Sequence, residues 1–170
     1  MFRSVFCALA LMAAPAAADV AVQFTEGAPK DSFRIMNTSA CPTGPIDVTI
    51  DLGASAAGLI FDTTGSGAGV EVFQPFELTA GSAQVTSVSE ITDGDSQAVL
   101  RLSDIPAKGT VAFTIDVDDT LPVSSNGQIM VSGAEIEGAR IAVKTASTPG
   151  SDATFDSSGR ATAAWEACVS

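Results

Sequence analysis

Apolar and polar residues alternate along much of this chain. Ile46, Val48, Ile50 and Leu52 fall on one side of an extended segment, while Asp47, Thr49 and Asp51 fall on the other. The alternation recurs at Ala98, Leu100 and Leu102 against Gln97, Val99 and Arg101, and at Val111, Phe113, Ile115 and Val117 against Ala112, Thr114 and Asp116. Shorter apolar runs lie at Val20–Phe24, Phe33–Met36, Gly58–Phe61, Val70–Leu78, Ala83–Val88, Ile129–Val131 and Arg140–Val143. Turn-forming clusters separate them at Pro42–Pro45, Thr63–Gly69, Asp93–Ser96, Ser124–Gly127 and Ser147–Asp152. Helical periodicity is weak and confined to Arg160–Cys168. The expected fold is therefore all-β, an antiparallel immunoglobulin-like β-sandwich of about seven to nine strands with one solvated face on each sheet. A transmembrane barrel would want aromatic girdles, and one Trp with no Tyr disfavours it.

The two ends of the chain read differently from its middle. Residues 1–18 carry Arg3, an apolar run from Val5 to Met12 and the small residues Pro15, Ala16, Ala17 and Ala18, the layout of a signal peptide with an A-x-A site. The run is too short for a transmembrane anchor, and no other segment is long and apolar enough to span a bilayer. Export to the periplasm or the extracellular space is the expectation. Cys7 would leave with the leader, and in an oxidising compartment Cys41 and Cys168 are expected to form one disulfide. The sandwich is expected over 19–146, followed over 147–170 by a linker and a C-terminal tail docked through Trp165 and that disulfide.

Charge and composition narrow the chemistry. Among 170 residues, 20 Asp+Glu against 8 Lys+Arg give a net charge of -12, which opposes binding to nucleic acid or to an anionic bilayer. The absence of His and Tyr removes Ser-His-Asp and Cys-His catalysis, His-containing zinc sites and tyrosine acid/base chemistry. Asp62-Thr63-Thr64-Gly65 has an additional Thr relative to the aspartic-protease turn and no second copy. Gly65, Gly67 and Gly69 lack the Lys-Ser/Thr of a phosphate loop and read as a flexible hairpin or inter-sheet loop. A non-enzymatic protein is expected, and a carbohydrate-active or accessory module using surface carboxylates is the alternative.

The densest acidic group is Asp116, Asp118 and Asp119, with Asp116 and Asp118 projecting from the same side of a strand. Asp93 and Asp95 flank Gly94 in a second group, without the spacing of an EF-hand. Carboxylates brought close repel unless a cation lies between them, and calcium, a hard ion bound by oxygens in loops, is the candidate cofactor for these five residues. Solvated aspartates, or Asp116 paired with Arg140 or Lys144, are the competing arrangement. Glu26, Asp62, Glu135 and Glu137 are further acids near expected strand ends. Asn37-Thr38-Ser39 matches the glycosylation sequon, and Phe73 and Phe76 read more readily as core than as a sugar platform.

Asp31-Ser32-Phe33-Arg34-Ile35-Met36-Asn37-Thr38-Ser39, then Ile46–Leu52, Phe61-Asp62-Thr63 and Ala112–Asp118, resemble segments of bacterial secreted proteins labelled aggregation factor core, over about residues 20–145. That label derives from a calcium-dependent sponge adhesion proteoglycan. The resemblance brings no catalytic residues. It implies surface or matrix interaction, with Asp116 and Asp118 contributing to calcium-dependent contact and the ion bridging acidic surfaces between molecules. The implied partner is a surface protein, a glycan or a second copy of the chain.

Overall fold

The computed structural model describes residues 18–70, 72–122, 127–128, 130–145 and 150–165. The strands in chain order are β1 (Ala18–Thr25), β2 (Asp31–Asn37), β3 (Ile46–Asp51), β4 (Ile60–Asp62), β5 (Glu77–Ala80), β6 (Val85–Val88), β7 (Gln97–Leu102), β8 (Thr110–Asp118), β9 (Arg140–Lys144), β10 (Ser151–Thr154) and β11 (Arg160–Trp165). They form two antiparallel sheets. One runs β11-β1-β2-β8-β4, with β5 also paired to β8, and the other runs β10-β9-β3-β7-β6. A single turn of helix, α1 (Gly133–Ile136), is closed by a capping box between Ser132 and Glu135.

Alternation explains how the two layers meet. Val20, Val22, Phe33, Ile35, Val111, Phe113, Ile115 and Val117 point inward from the first sheet, and Ile46, Val48, Ile50, Leu100, Leu102, Ile141 and Val143 from the second, forming one core. Phe33 is its centre. Its ring stacks on Phe113 at 5.1 Å and meets Phe24 at 5.2 Å and Phe61 at 6.5 Å. Such rings combine a large buried apolar area with edge and offset contacts.

Among the described residues there are eleven strands against the seven to nine expected, because several are too short to show a repeat; β4, for instance, has three residues. Within 147–170, residues 147–149 and 166–170 lie outside the described residues, but β10 pairs with β9 and β11 pairs with β1. Residues 151–165 thus supply a strand to each sheet, and the weak helical pattern from Arg160 resolves as strand. Ala161 and Ala163 alternate inward there, and alanine carries too little apolar contrast to mark a strand by sequence. The expected leader lies outside the described residues except for Ala18, which opens β1. No helix among the described residues is long and apolar enough to cross a membrane.

At the Asn37 end of β2 the chain turns through a polar corner. Asn37, 2% exposed, donates through Nδ2 to the carbonyls of Cys41 (2.7 Å), Ile105 (3.0 Å) and Pro106 (3.1 Å). Its Oδ1 accepts from the amide and hydroxyl of Ser39 at 2.9 and 2.7 Å. The Thr38 hydroxyl donates to the Asp19 carbonyl at 3.0 Å. Asn37-Thr38-Ser39 is thus a structural latch, and the side-chain amide of Asn37 is turned inward rather than offered to a sugar.

Because Phe33 touches three other rings, Phe33→Ala should lower unfolding free energy by roughly 3–5 kcal/mol, read from denaturant midpoints. A loss below about 1 kcal/mol would show that the ring cluster is not the centre of the core.

Candidate cation site

The inward residues of β8 leave Ala112, Thr114, Asp116 and Asp118 on the opposite side of that strand. Alternation predicts that side to face water. Asp116 and Asp118 are instead 2% and 0% exposed. The register sets Asp62 of β4 directly opposite Asp116, and Ile60 opposite Asp118, so Asp62 joins the same outward row while Phe61 enters the core. Asp62 is also fully buried. Selected carboxylate oxygens of Asp62, Asp116 and Asp118 all lie within 4.8 Å of one another.

What buries this row is the segment that follows β4. Expected as an apolar strand over Val70–Leu78, it forms a strand only from Glu77, and that strand shifts register against β8 between Leu78 and Ala80. Before that, Gln74 sits between the two acidic strands, its N–H donating to the Asp62 carbonyl at 3.4 Å and its carbonyl accepting from the Asp116 N–H at 3.1 Å. Upstream, the Val70 N–H donates to Asp118 Oδ2 at 2.7 Å and the Thr64 N–H to Asp62 Oδ1 at 3.3 Å. Gly69 allows the close approach: a β-carbon there would lie 2.3 Å from Asp62 Oδ2 and 2.6 Å from Asp118 Oδ2. The three glycines that read as a plain flexible loop therefore include one whose missing side chain leaves space against two carboxylates.

Each member of the triad retains a buried oxygen without a hydrogen-bond partner: Asp62 Oδ2, Asp116 Oδ2 and Asp118 Oδ1. Thr114 Oγ1, next in the row, is likewise unpartnered. Buried polar atoms are normally satisfied, so these oxygens call for protons shared between the carboxyls or for a cation. No Lys or Arg among the described residues pairs with the triad; the ion pairs found are Lys30–Glu77 and Arg101–Asp47 (3.8 Å). Arg140 and Lys144 stand on β9 in the other sheet, opposite Asp51 and Asp47.

Burial pushes the Asp116 carboxyl up to about 7, aided by the nearby charges of Asp118 and Asp62. Burial also raises Asp62 to about 7, with a contribution from the Asp93 carboxyl, and raises Asp118. Asp93 moves the other way, held below its usual range chiefly by the Ala68 N–H. At the inward start of β2, Asp31 accepts from the Val117 N–H at 3.0 Å and the Gly27 N–H at 3.2 Å, and burial, reinforced by Glu26, raises it to about 9.

Of the five residues expected to bind metal, the structure brings Asp116 and Asp118 together and sets Asp93 beside them. The Asp93 carboxylate accepts from the Thr63 N–H (3.2 Å) and the Ala68 N–H (2.7 Å), which ties the glycine-rich loop to the Asp93–Ser96 turn. Asp95 closes that turn locally, accepting from the Thr92 N–H at 2.7 Å and its hydroxyl at 2.8 Å. Asp119 is not part of the triad; its Oδ1 accepts from the Leu121 N–H at 2.9 Å and its buried Oδ2 has no partner. Asp62 completes the triad. Sequence marks it only as one further acid near a strand end, because the β4–β8 register that apposes it to Asp116 is long-range. Cys41 is disulfide-bonded at the Asn37 corner, and Cys168 lies outside the described residues.

The donor set is all oxygen and carries up to three negative charges. It suits a hard cation such as magnesium, calcium or manganese rather than zinc or copper. Comparison with known families, with curated proteins and with solved structures finds no match to this chain.

Carboxyls whose folded pKa is raised favour the folded state while protonated, and that contribution is lost as pH rises through the folded value. In chelator, Tm should therefore fall between about pH 5 and pH 9, as Asp62 and Asp116 ionise near 7 and Asp31 near 9. Asp116→Asn should flatten the middle of that profile. A Tm that stays level across the range would show that these acids are not held in the environment described.

Proposed function

We propose that this chain is a non-enzymatic, exported β-sandwich that binds calcium between Asp62, Asp116 and Asp118 and serves in surface or matrix interaction. The observation that carries the cation reading is the triad itself: three buried carboxylates with oxygens within 4.8 Å of one another, each with an unpartnered oxygen and none ion-paired with a Lys or Arg among the described residues. One ion would satisfy the orphaned oxygens and offset the mutual repulsion at once. Calcium suits the site better than magnesium. Magnesium demands near-ideal octahedral geometry and gives up water reluctantly, whereas calcium accepts irregular sets of roughly six to eight oxygens, carboxylates and backbone carbonyls included.

Export is supported by the leader-like layout of residues 1–18. A Cys41–Cys168 bridge, as proposed here, would fasten the C-terminal end to the Asn37 corner, and such bridges persist in oxidising compartments. The resemblance to aggregation-factor-core proteins supports a surface protein, a glycan or a second copy as the partner.

Calorimetric titration of the calcium-free protein tests the reading. Binding is expected with calcium and not with equal magnesium, and at a hundredfold excess over Kd calcium should add about 2.7 kcal/mol of stability. Asp116→Ala combined with Asp118→Ala should abolish both effects while keeping the β-sheet circular dichroism spectrum. Unchanged calcium binding in that folded double variant would refute the site.

A further inference from the structure

The cation reading leaves open whether the ion joins two molecules or acts within one, and the loop over the triad bears on that choice. Residues 63–70 are rich in Gly, Ser and Thr and have little apolar surface with which to anchor themselves. Among the described residues, the hydrogen bonds that tie this loop to the rest of the sandwich all end on carboxylate oxygens. The Thr63 and Ala68 N–H groups donate to Asp93, Thr64 to Asp62 and Val70 to Asp118. Each of these hydrogen bonds thus ends on one of three acids that repel one another when ionised.

The triad also lies inside the chain. With Asp62, Asp116 and Asp118 at 0%, 2% and 0% exposure, and the space beside Gly69 bounded by Asp62 and Asp118, a second molecule has no access to these oxygens while the loop is seated. Beyond Val70 the chain reaches Val72 and Phe73, two of the four large apolar side chains exposed among the described residues. The Phe73 ring rests on Gly65, where a β-carbon would lie 2.8 Å from a ring carbon, so loop and apolar tip are packed together.

We infer that the bound cation is an intramolecular clasp that seats loop 63–70 on β8 and thereby fixes the exposed Val72–Phe73 tip, rather than an ion shared between molecules. This inference rests on the cation reading and assigns the ion a conformational role: it orders a loop of its own chain. Neutralising the repulsion lets the three carboxylates stay ionised, the state in which they accept the loop's N–H groups most strongly.

Hydrogen exchange of the full protein in calcium and in chelator, with sedimentation under the same conditions, tests the inference. Calorimetry on the same sample establishes whether calcium binds. Exchange at Thr64, Ala68 and Val70 should slow by about tenfold or more in calcium, while the Phe33 core changes far less and the protein keeps its mass. Calcium that binds without protecting the loop would overturn the clasp, as would a calcium-dependent doubling of mass with the loop exchanging as before. Absence of any calcium binding would overturn the cation reading itself, and the clasp with it.

Discussion

Three carboxylates cannot be held side by side, out of water, in their ionised form without something positive among them. Each loses hydration on burial, each raises the cost of ionising the next, and no basic side chain among the described residues relieves them. Two responses are open to such a cluster. It takes up protons, which the raised Asp62, Asp116 and Asp118 express, or it takes up a cation, which the unpartnered oxygens express. The loop that covers the cluster donates to Asp62 and Asp118 through the Thr64 and Val70 N–H groups, so its seating is coupled to the charge of those carboxylates.

The rest of the fold makes that choice local. The four-phenylalanine cluster around Phe33 links β1, β2, β4 and β8 of the first sheet, and neither it nor the Asn37 corner involves a triad acid. Along β2 and β8, the Asn37 corner lies at one end of the strands and Asp31, Asp116 and Asp118 at the other. The triad and the loop that covers it thus lie at the end of these strands away from the Asn37 corner.

Much of this was legible before folding was considered. The alternation at Ile46–Leu52 and Val111–Val117 marks β3 and β8 and their inward faces, and it places Asp116 and Asp118 correctly on the side away from the core. The burial of that side was not legible, because it depends on the segment from Thr63 to Phe76 folding back over its own sheet. Asp62 was similarly hidden: its value comes from a partner 54 positions away in register, and no local spacing encodes that. Asp95 and Asp119 match the chemistry by residue type and stand outside the triad; backbone N–H groups of their own turns engage one oxygen of each, and Asp119 Oδ2 stays buried without a partner. At the C-terminal end, alanine alternation in β11 has too little contrast to be read as a strand, and its place in the sheet follows from pairing with β1.

The most direct test of the central claim is anomalous diffraction from crystals of the full protein grown in calcium, paired with crystals grown in chelator. The account predicts a single anomalous peak in the calcium crystals, bounded by Asp62, Asp116 and Asp118 at calcium–oxygen distances of about 2.3–2.6 Å, and none in the chelator crystals. Calcium crystals in which the three carboxyl groups hydrogen-bond to one another or to water, with no peak among them, would contradict it.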